Sequence, residues 1–428
     1  MASRTLLALC AFASALSGCS SNDSASRAYT DGGADIDGGA GEVSSGGGAA
    51  NSAGGVANGA GDGGARPSNG VGGSSNTGGA TNDAEDAGDG GNDAALDTTS
   101  TKLLFGPYKD TTVAMNWNTN VVSTNLSGTM TSLGDALTTN GVGAVTLAFA
   151  TGECGSETWG GLAGDDMAKA NVPLLTKANI RYVVSTGGAA GVFSCATDAG
   201  FDTFVARWAS ANLVGIDFDL EAGQTKAQIE ALVHRIDAAH GAHPELRFSL
   251  TLATLAANDG ASTAHSLGSA APDAFNEYGD EAMAAVASTL GWNGGEDFPA
   301  FLTVNLMTMD YGAAGSGVCV VSGGKCQMGQ SALQAAYDLH DKWSVPYDHM
   351  ELTPMLGGND AIDEEFTLDD IGTLTAFATS QKLAGVHFWS LDRDVDCAAG
   401  AASATCNTMG AGYAGPFGYL KAFQSALR

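Results

Sequence analysis

From Thr101 onward the chain alternates between short runs of apolar, β-branched or aromatic residues and longer stretches of helical periodicity. The runs Leu103–Tyr108, Ala144–Ala150, Ile180–Thr186, Gly215–Leu220, Arg247–Leu252, Leu302–Met309, Met350–Met355 and Val386–Leu391 read as strands. Between the fourth and fifth, Ile229, Leu232, Val233 and Ile236 recur at helical spacing with Lys226, Glu230 and Arg235 on the other side, which predicts an amphipathic helix. A second is predicted over Asp363–Ala376, carried by Phe366, Leu368, Ile371 and Leu374 and continued by Phe377, with Thr367-Leu-Asp-Asp as its cap. Strands alternating with helices predict a parallel sheet with crossover helices. Eight such strands fit an α/β fold of the (β/α)8 TIM barrel type, with insertions, better than an open doubly wound sheet. An open sheet around a nucleotide would carry a Gly-rich phosphate turn after its first strand, and Phe105-Gly-Pro-Tyr108 is not one.

The pattern before Thr101 is different. Arg4 followed by the apolar stretch Leu6 to Leu16, too short to span a bilayer, reads as an export signal over residues 1–18. It ends in Leu16-Ser17-Gly18-Cys19, which resembles the lipobox of bacterial lipoproteins and makes Cys19 the expected lipidation site. Residues 19–100 are Gly, Ala, Ser, Asn, Asp and Thr with isolated Ile36, Val43, Val56 and Val71 in no period, a composition that cannot offset its ordering entropy. A disordered tether is expected there, with an r.m.s. span of about 50 Å for roughly 80 Gly-rich residues. The expected organisation is a signal, a tether and a catalytic domain over 101–428, exported and held at the bacterial cell envelope by the lipid on Cys19 or released from it.

Charge and chemistry narrow the reading. A formal net charge of -29 argues against nucleic acid as a partner and for a neutral or polymeric one. The only membrane contact expected is the lipid, and no apolar stripe suggests anything but a monomer. Beyond Cys10 and Cys19 six cysteines remain, an even number in an exported chain, which suggests disulfides. Of the 15 possible connectivities, loop proximity favours Cys154 with Cys195, Cys319 with Cys326 and Cys397 with Cys406. No cysteine or histidine spacing matches a metal site, His240-Gly-Ala-His243 lying in an expected turn before Pro244, and no metal or cofactor is expected.

The fourth strand carries the chemistry. In Gly215-Ile-Asp-Phe-Asp-Leu-Glu221, alternation places Asp217, Asp219 and Glu221 on one face and Ile216, Phe218 and Leu220 on the other. In a barrel the acidic face points inward, and Glu221 stands nearest the carboxyl end, where barrel enzymes place their chemistry. Three carboxylates in file are costly to ionise together, so at least one holds a proton near neutral pH, as an acid catalyst must.

This strand resembles the DGxDxDxE signature of family 18 glycoside hydrolases, the chitinases and their relatives, with Val214 in place of the first aspartate. Ser185-Thr-Gly-Gly188 resembles the family's SxGG element, and Val304-Asn-Leu-Met-Thr-Met-Asp-Tyr311 its strand-six element. Leu352-Thr-Pro-Met-Leu-Gly-Gly-Asn-Asp360 and Val386-His-Phe-Trp-Ser-Leu-Asp-Arg-Asp394 resemble the ends of its seventh and eighth strands. The resemblance implies hydrolysis of chitin or a related N-acetylglucosamine glycan, with retention and with the substrate's acetamido group as nucleophile, outside the usual two-carboxylate scheme. It implies that Glu221 is acid and then base, that Asp219 binds the acetamido N–H, and that Asp217 shares a proton with Asp219. It further implies that Tyr311, supported by Asp310, binds the acetamido oxygen, although Met309 stands where many members have tyrosine. Trp389 is the expected apolar floor under the reacting sugar. Met307, Asn305 and Tyr108 are weaker candidates for the pocket lining, and Trp159 and Trp292 for platforms at its rim. An endo-β-N-acetylglucosaminidase acting on N-glycans, or a peptidoglycan-directed enzyme, would use the same acid. A chitin-binding lectin on this barrel would typically lack Glu221.

Overall fold

The computed structural model describes residues 103–428 apart from 222, 273, 274 and 296. The expected export signal, Cys19 and the expected tether lie outside the described residues. Among the described residues eight parallel strands alternate with eight helices. The strands are β1 (Leu104–Phe105, resumed at Tyr108–Asp110), β2 (Ala144–Ala150), β3 (Arg181–Gly187), β4 (Leu213–Leu220), β5 (Arg247–Ala253), β6 (Leu302–Met307), β7 (Met350–Thr353) and β8 (Gly385–Val386). The helices that follow them are α1 (Leu133–Thr139), α2 (Gly164–Lys177), α3 (Asp198–Trp208), α4 (Lys226–Ala242), α5 (Glu277–Leu290), α6 (Met328–Trp343), α7 (Leu368–Gln381) and α8 (Gly418–Ala426). The first half of β1 pairs with β8 and the second with β2, so the sheet closes on itself as the expected (β/α)8 barrel.

Alternation along the strands sorts the two faces. Ile216, Phe218 and Leu220 of β4, Phe248, Leu250 and Leu252 of β5, and Val304 and Leu306 of β6 are buried outside the sheet among helix residues such as Phe201, Phe204, Ile229 and Ile236. The opposite positions, among them Ser185, Asp217, Ser249, Thr251, Thr303, Asn305, Glu351 and Thr353, are buried polar groups. This interior is hydrogen-bonded rather than oily, so it persists only if each polar group finds a partner.

At the amino-terminal end of the strands the partners are ionic. Glu351 accepts bonds from Arg247, Thr303 and, at 2.6 Å, His387, whose other ring nitrogen meets the Gly106 carbonyl at 3.0 Å. Burial alone would raise the Glu351 carboxyl, but Arg247 and His387 reverse this and hold it at about 2.

All three expected disulfides are present: Cys154 with Cys195, Cys319 with Cys326 and Cys397 with Cys406. Several boundaries move. The β6 strand ends at Met307 rather than Met309, and β8 is two residues long, with Trp389 joined to Met355 by a single parallel bridge. The helix expected from Asp363 starts at Leu368, because Thr367 and Asp370 cap it reciprocally. Phe366 instead belongs to a small hairpin with Gly357–Gly358. His240 lies in the last turn of α4 and His243 at its C-cap, not in a separate turn.

Candidate active site

Asp217 is fully buried and accepts four hydroxyl bonds. Tyr108 (3.0 Å) and Ser185 (2.6 Å) donate to Oδ2, Ser249 (2.6 Å) and Thr251 (2.7 Å) to Oδ1. The protons on Tyr108 and Thr251 are oriented from behind, since Asn305 Nδ2 donates to both hydroxyl oxygens at 2.9 Å and Thr353 donates to Asn305 Oδ1 at 2.7 Å. Each hydroxyl has one proton, and these turn to Asp217. Burial pushes the Asp217 carboxyl up, while the bonds from Ser185, Ser249 and Thr251 pull it back. Both oxygens are occupied by donors, which offsets part of the rise that burial causes.

Asp219 sits above it at 3% exposure, and its Oδ1 has no partner among the described residues. Burial, then the charges of Glu221 and Asp217, push its carboxyl well above the usual range. Glu221 follows the last strand residue and is half-buried. Burial raises it to about 7, against an opposing bond from the Ala189 N–H, and the charge of Asp310 adds to the rise. Three carboxyls that resist ionisation thus stand in file, with the outermost partly open to solvent.

The neighbouring glycines are dictated by this crowding. Gly187 has φ +88° and a Cβ there would lie 2.1 Å from the Asp219 carbonyl oxygen; at Gly188 (φ +80°) it would lie 2.7 Å from the Phe149 ring. Phe149 is the largest residue that the sequence reading missed. Simple alternation along β2 puts it outside with Val145 and Leu147, but the register shifts between Leu147 and Ala150, turning it toward Trp389. The two rings stack at 5.4 Å and 22°, and both are half-buried.

The other expected residues separate into two groups. Met307, Asp310 and Trp389 are half-buried at the carboxyl ends of β6 and β8. Tyr108 and Asn305 are 3% and 1% exposed, and serve the network beneath Asp217 rather than the pocket wall. Tyr311 is also inside, at 3% exposure. Its hydroxyl has no partner among the described residues, and burial, then the charges of Glu364 and Asp338, raise its pKa. Of the Asp310–Tyr311 pair it is Asp310 whose charge raises Glu221. Trp159 and Trp292 are not rim platforms: both are buried, Trp159 against Trp208 at 5.0 Å and Trp292 against Phe298 at 4.9 Å. Glu153, Cys154 and Cys195 come close enough to suggest metal ligands, but both sulfurs are spent in a disulfide.

With this geometry in place, the chain can be set beside known proteins. No protein-family model and no curated protein matches it. Among solved structures it is similar to the catalytic domain of a hyperthermophilic chitinase from Pyrococcus furiosus, at 20% identity and TM-score 0.52, over 76% of this chain and 94% of that one. Catalytic-site mutants of active domain 2 of a thermostable chitinase from the same organism, complexed with chito-oligosaccharides, give the same figures. A weaker likeness, at 15% identity and TM-score 0.41, joins it to the C-terminal domain of ChiA from Legionella pneumophila, over 67% of this chain and 92% of that one. At such identities the likeness is one of fold, shared with chitinase catalytic domains.

Proposed function

We propose that this chain is a glycoside hydrolase that cleaves β-1,4-linked N-acetylglucosamine polymers with retention, using Glu221 as acid and then base. The observation that carries the reading is the file on β4: Asp217 buried under four hydroxyl donors, Asp219 buried and pushed well above the usual carboxylate range, and a half-buried Glu221 raised to about 7. The fold shared with chitinase catalytic domains and the ordered motifs on β3, β4, β6, β7 and β8 support it.

In the proposed reaction Glu221 gives its proton to the glycosidic oxygen as the C1–O bond breaks. The acetamido carbonyl oxygen of the same sugar closes on C1, forming an oxazolinium ion. Asp219 Oδ1, without a partner of its own, accepts the acetamido N–H, and the carboxylate that Glu221 becomes on giving up its proton balances the positive charge that develops. Water then attacks C1, Glu221 takes its proton, and the C1–O bond to the acetamido oxygen opens, restoring the N-acetyl group. Asp217 acts from below, where its charge helps to hold a proton on Asp219. The Phe149–Trp389 stack is the apolar surface against which a pyranose packs its C–H face. The chemistry as written needs no cofactor, and export with tethering through Cys19 would bring the barrel to a polymer too large to enter a cell.

The pH dependence follows from Glu221. Its carboxyl is raised, so the acid form is available below about pH 7 and is lost above it. Turnover of chito-oligosaccharides followed from about pH 4 to about pH 10 falls on the alkaline side with a midpoint near 7. Cello-oligosaccharides, which lack the acetamido group, are left uncut under the same conditions. Binding of chito-oligosaccharides without any cleavage would contradict the assignment and favour a sugar-binding protein.

A further inference from the structure

Asp310 occupies an unusual backbone position for the residue that presses on Glu221. It follows the end of β6 with φ +53°, in the left-handed region, and Gly312 two residues on has φ +94°. A non-glycine residue there costs on the order of 1–3 kcal/mol unless its surroundings hold it. The holding group comes from the loop between β7 and α7. Glu364, 2% exposed, receives the Tyr311 N–H at 3.1 Å on Oε2 and the Gly312 N–H at 2.8 Å on Oε1. Successive backbone N–H groups converging on one acceptor group make a nest, and here the group is the chain's own carboxyl, which burial, then the Asp310 charge, raise to about 7 against the bonds from the nest. The same loop grips Asp310 directly: Asn359 Oδ1 accepts the Asp310 N–H at 3.4 Å, and Asp310 Oδ1 accepts the Ala361 N–H at 3.0 Å. Arg393, buried at 1% exposure, fastens the loop's first residues by donating to the carbonyls of Leu356 and Gly358.

We propose that Glu364 is a positioning residue: its carboxylate, seated in the N–H nest of the turn after β6, holds Asp310 in the left-handed conformation that keeps its charge on Glu221. This rests on the reading of Glu221 as the acid. A glutamine at 364 offers one acceptor oxygen and turns an N–H2 toward backbone donors, so the nest loses half its hold and the turn relaxes. The charged groups around Asp310 are Asp360 from the same loop, Arg393 from the segment after β8, Glu364 itself and Glu221 after β4. Asp360 and Arg393 act on Asp310 with opposite sign and are untouched by the substitution.

The test is a carboxyl 13C NMR titration of the full-length protein labelled in its Glu side chains, with the Glu221 signal assigned by its absence in Glu221→Gln. In Glu364→Gln the Glu221 midpoint falls by about half a pH unit or more, because a like charge has moved away. Asp310→Asn gives a fall of the same sign, and the double variant falls no further than Asp310→Asn alone, since both substitutions remove one interaction. If Glu364→Gln does not fold, Glu364→Asp, one methylene too short to reach both N–H groups, shows the same direction with a smaller amplitude. An unchanged Glu221 midpoint in the folded variant, with or without a lower melting temperature, overturns the proposal and leaves Glu364 a structural brace. The titration uses no substrate, so failure of the wild type to cut chito-oligosaccharides would defeat the assigned function while leaving this result to be read separately.

Discussion

Replacing the outermost carboxyl by an amide, as Glu221→Gln, lowers kcat on chito-oligosaccharides by on the order of 10²–10⁴-fold, the usual worth of a placed general acid. The side chain keeps its shape and its half-buried place at the end of β4, but the amide has no proton to give to a departing sugar and cannot take one from water. Binding changes far less, because the Phe149–Trp389 surface and Asp219 are intact. Isothermal titration with a chito-oligosaccharide therefore gives a Kd within several-fold of the wild type, alongside a collapse in turnover. The alkaline limb near pH 7 disappears from what activity remains, since the group that produced it has gone. Equal turnover in the variant and the parent would remove Glu221 from the reaction.

The second large effect lies at the other end of the barrel and concerns stability. Glu351→Gln leaves Arg247 and His387 without the carboxylate that pairs them, and breaking a buried ionic contact from one side costs about 3–5 kcal/mol. Chemical denaturation followed by fluorescence registers this as a lower midpoint, with turnover per folded molecule little changed. The pH dependence has a definite sign. Glu351 is depressed from 4.5 to about 2, so its contribution, about 3 kcal/mol from the size of the shift, is present above pH 4.5. It is lost as pH falls through 2. The variant lacks this component, and its acid unfolding is shallower between those limits. A variant as stable as the parent would show the Arg247–Glu351–His387 contact to be dispensable.

The strands were legible because each carries its own sorting rule. On β4 the alternation of Asp217, Asp219 and Glu221 with Ile216, Phe218 and Leu220 admits one assignment of inside and outside. The same rule, applied to Arg247-Phe-Ser-Leu-Thr-Leu252 and to Thr303-Val-Asn305, would have found Ser249, Thr251 and Thr303 as well. The short loops between Cys319 and Cys326 and between Cys397 and Cys406 made those pairs the natural ones. What escaped lies where periodicity stops. Phe149 is turned inward at a register shift that no alternation predicts. Asp310 and Tyr311 were named by their motif, but they come after the last residue of β6, where the left-handed turn at Asp310 gives them different surroundings that alternation does not predict. Asn359, Glu364 and Arg393 act from loops, through backbone partners that no spacing rule encodes. Trp159 and Trp292 look like platforms in a sequence because they sit between elements, yet each packs on an aromatic partner in the interior.

The central claim, retention through the substrate's own acetamido group, is tested most directly by proton NMR of a chito-oligosaccharide in the first moments after the enzyme is added. The account predicts that the new reducing ends appear first as the β-anomer and drift toward the equilibrium mixture only as mutarotation proceeds. Initial release of the α-anomer would mean a single inverting attack by water and would contradict it.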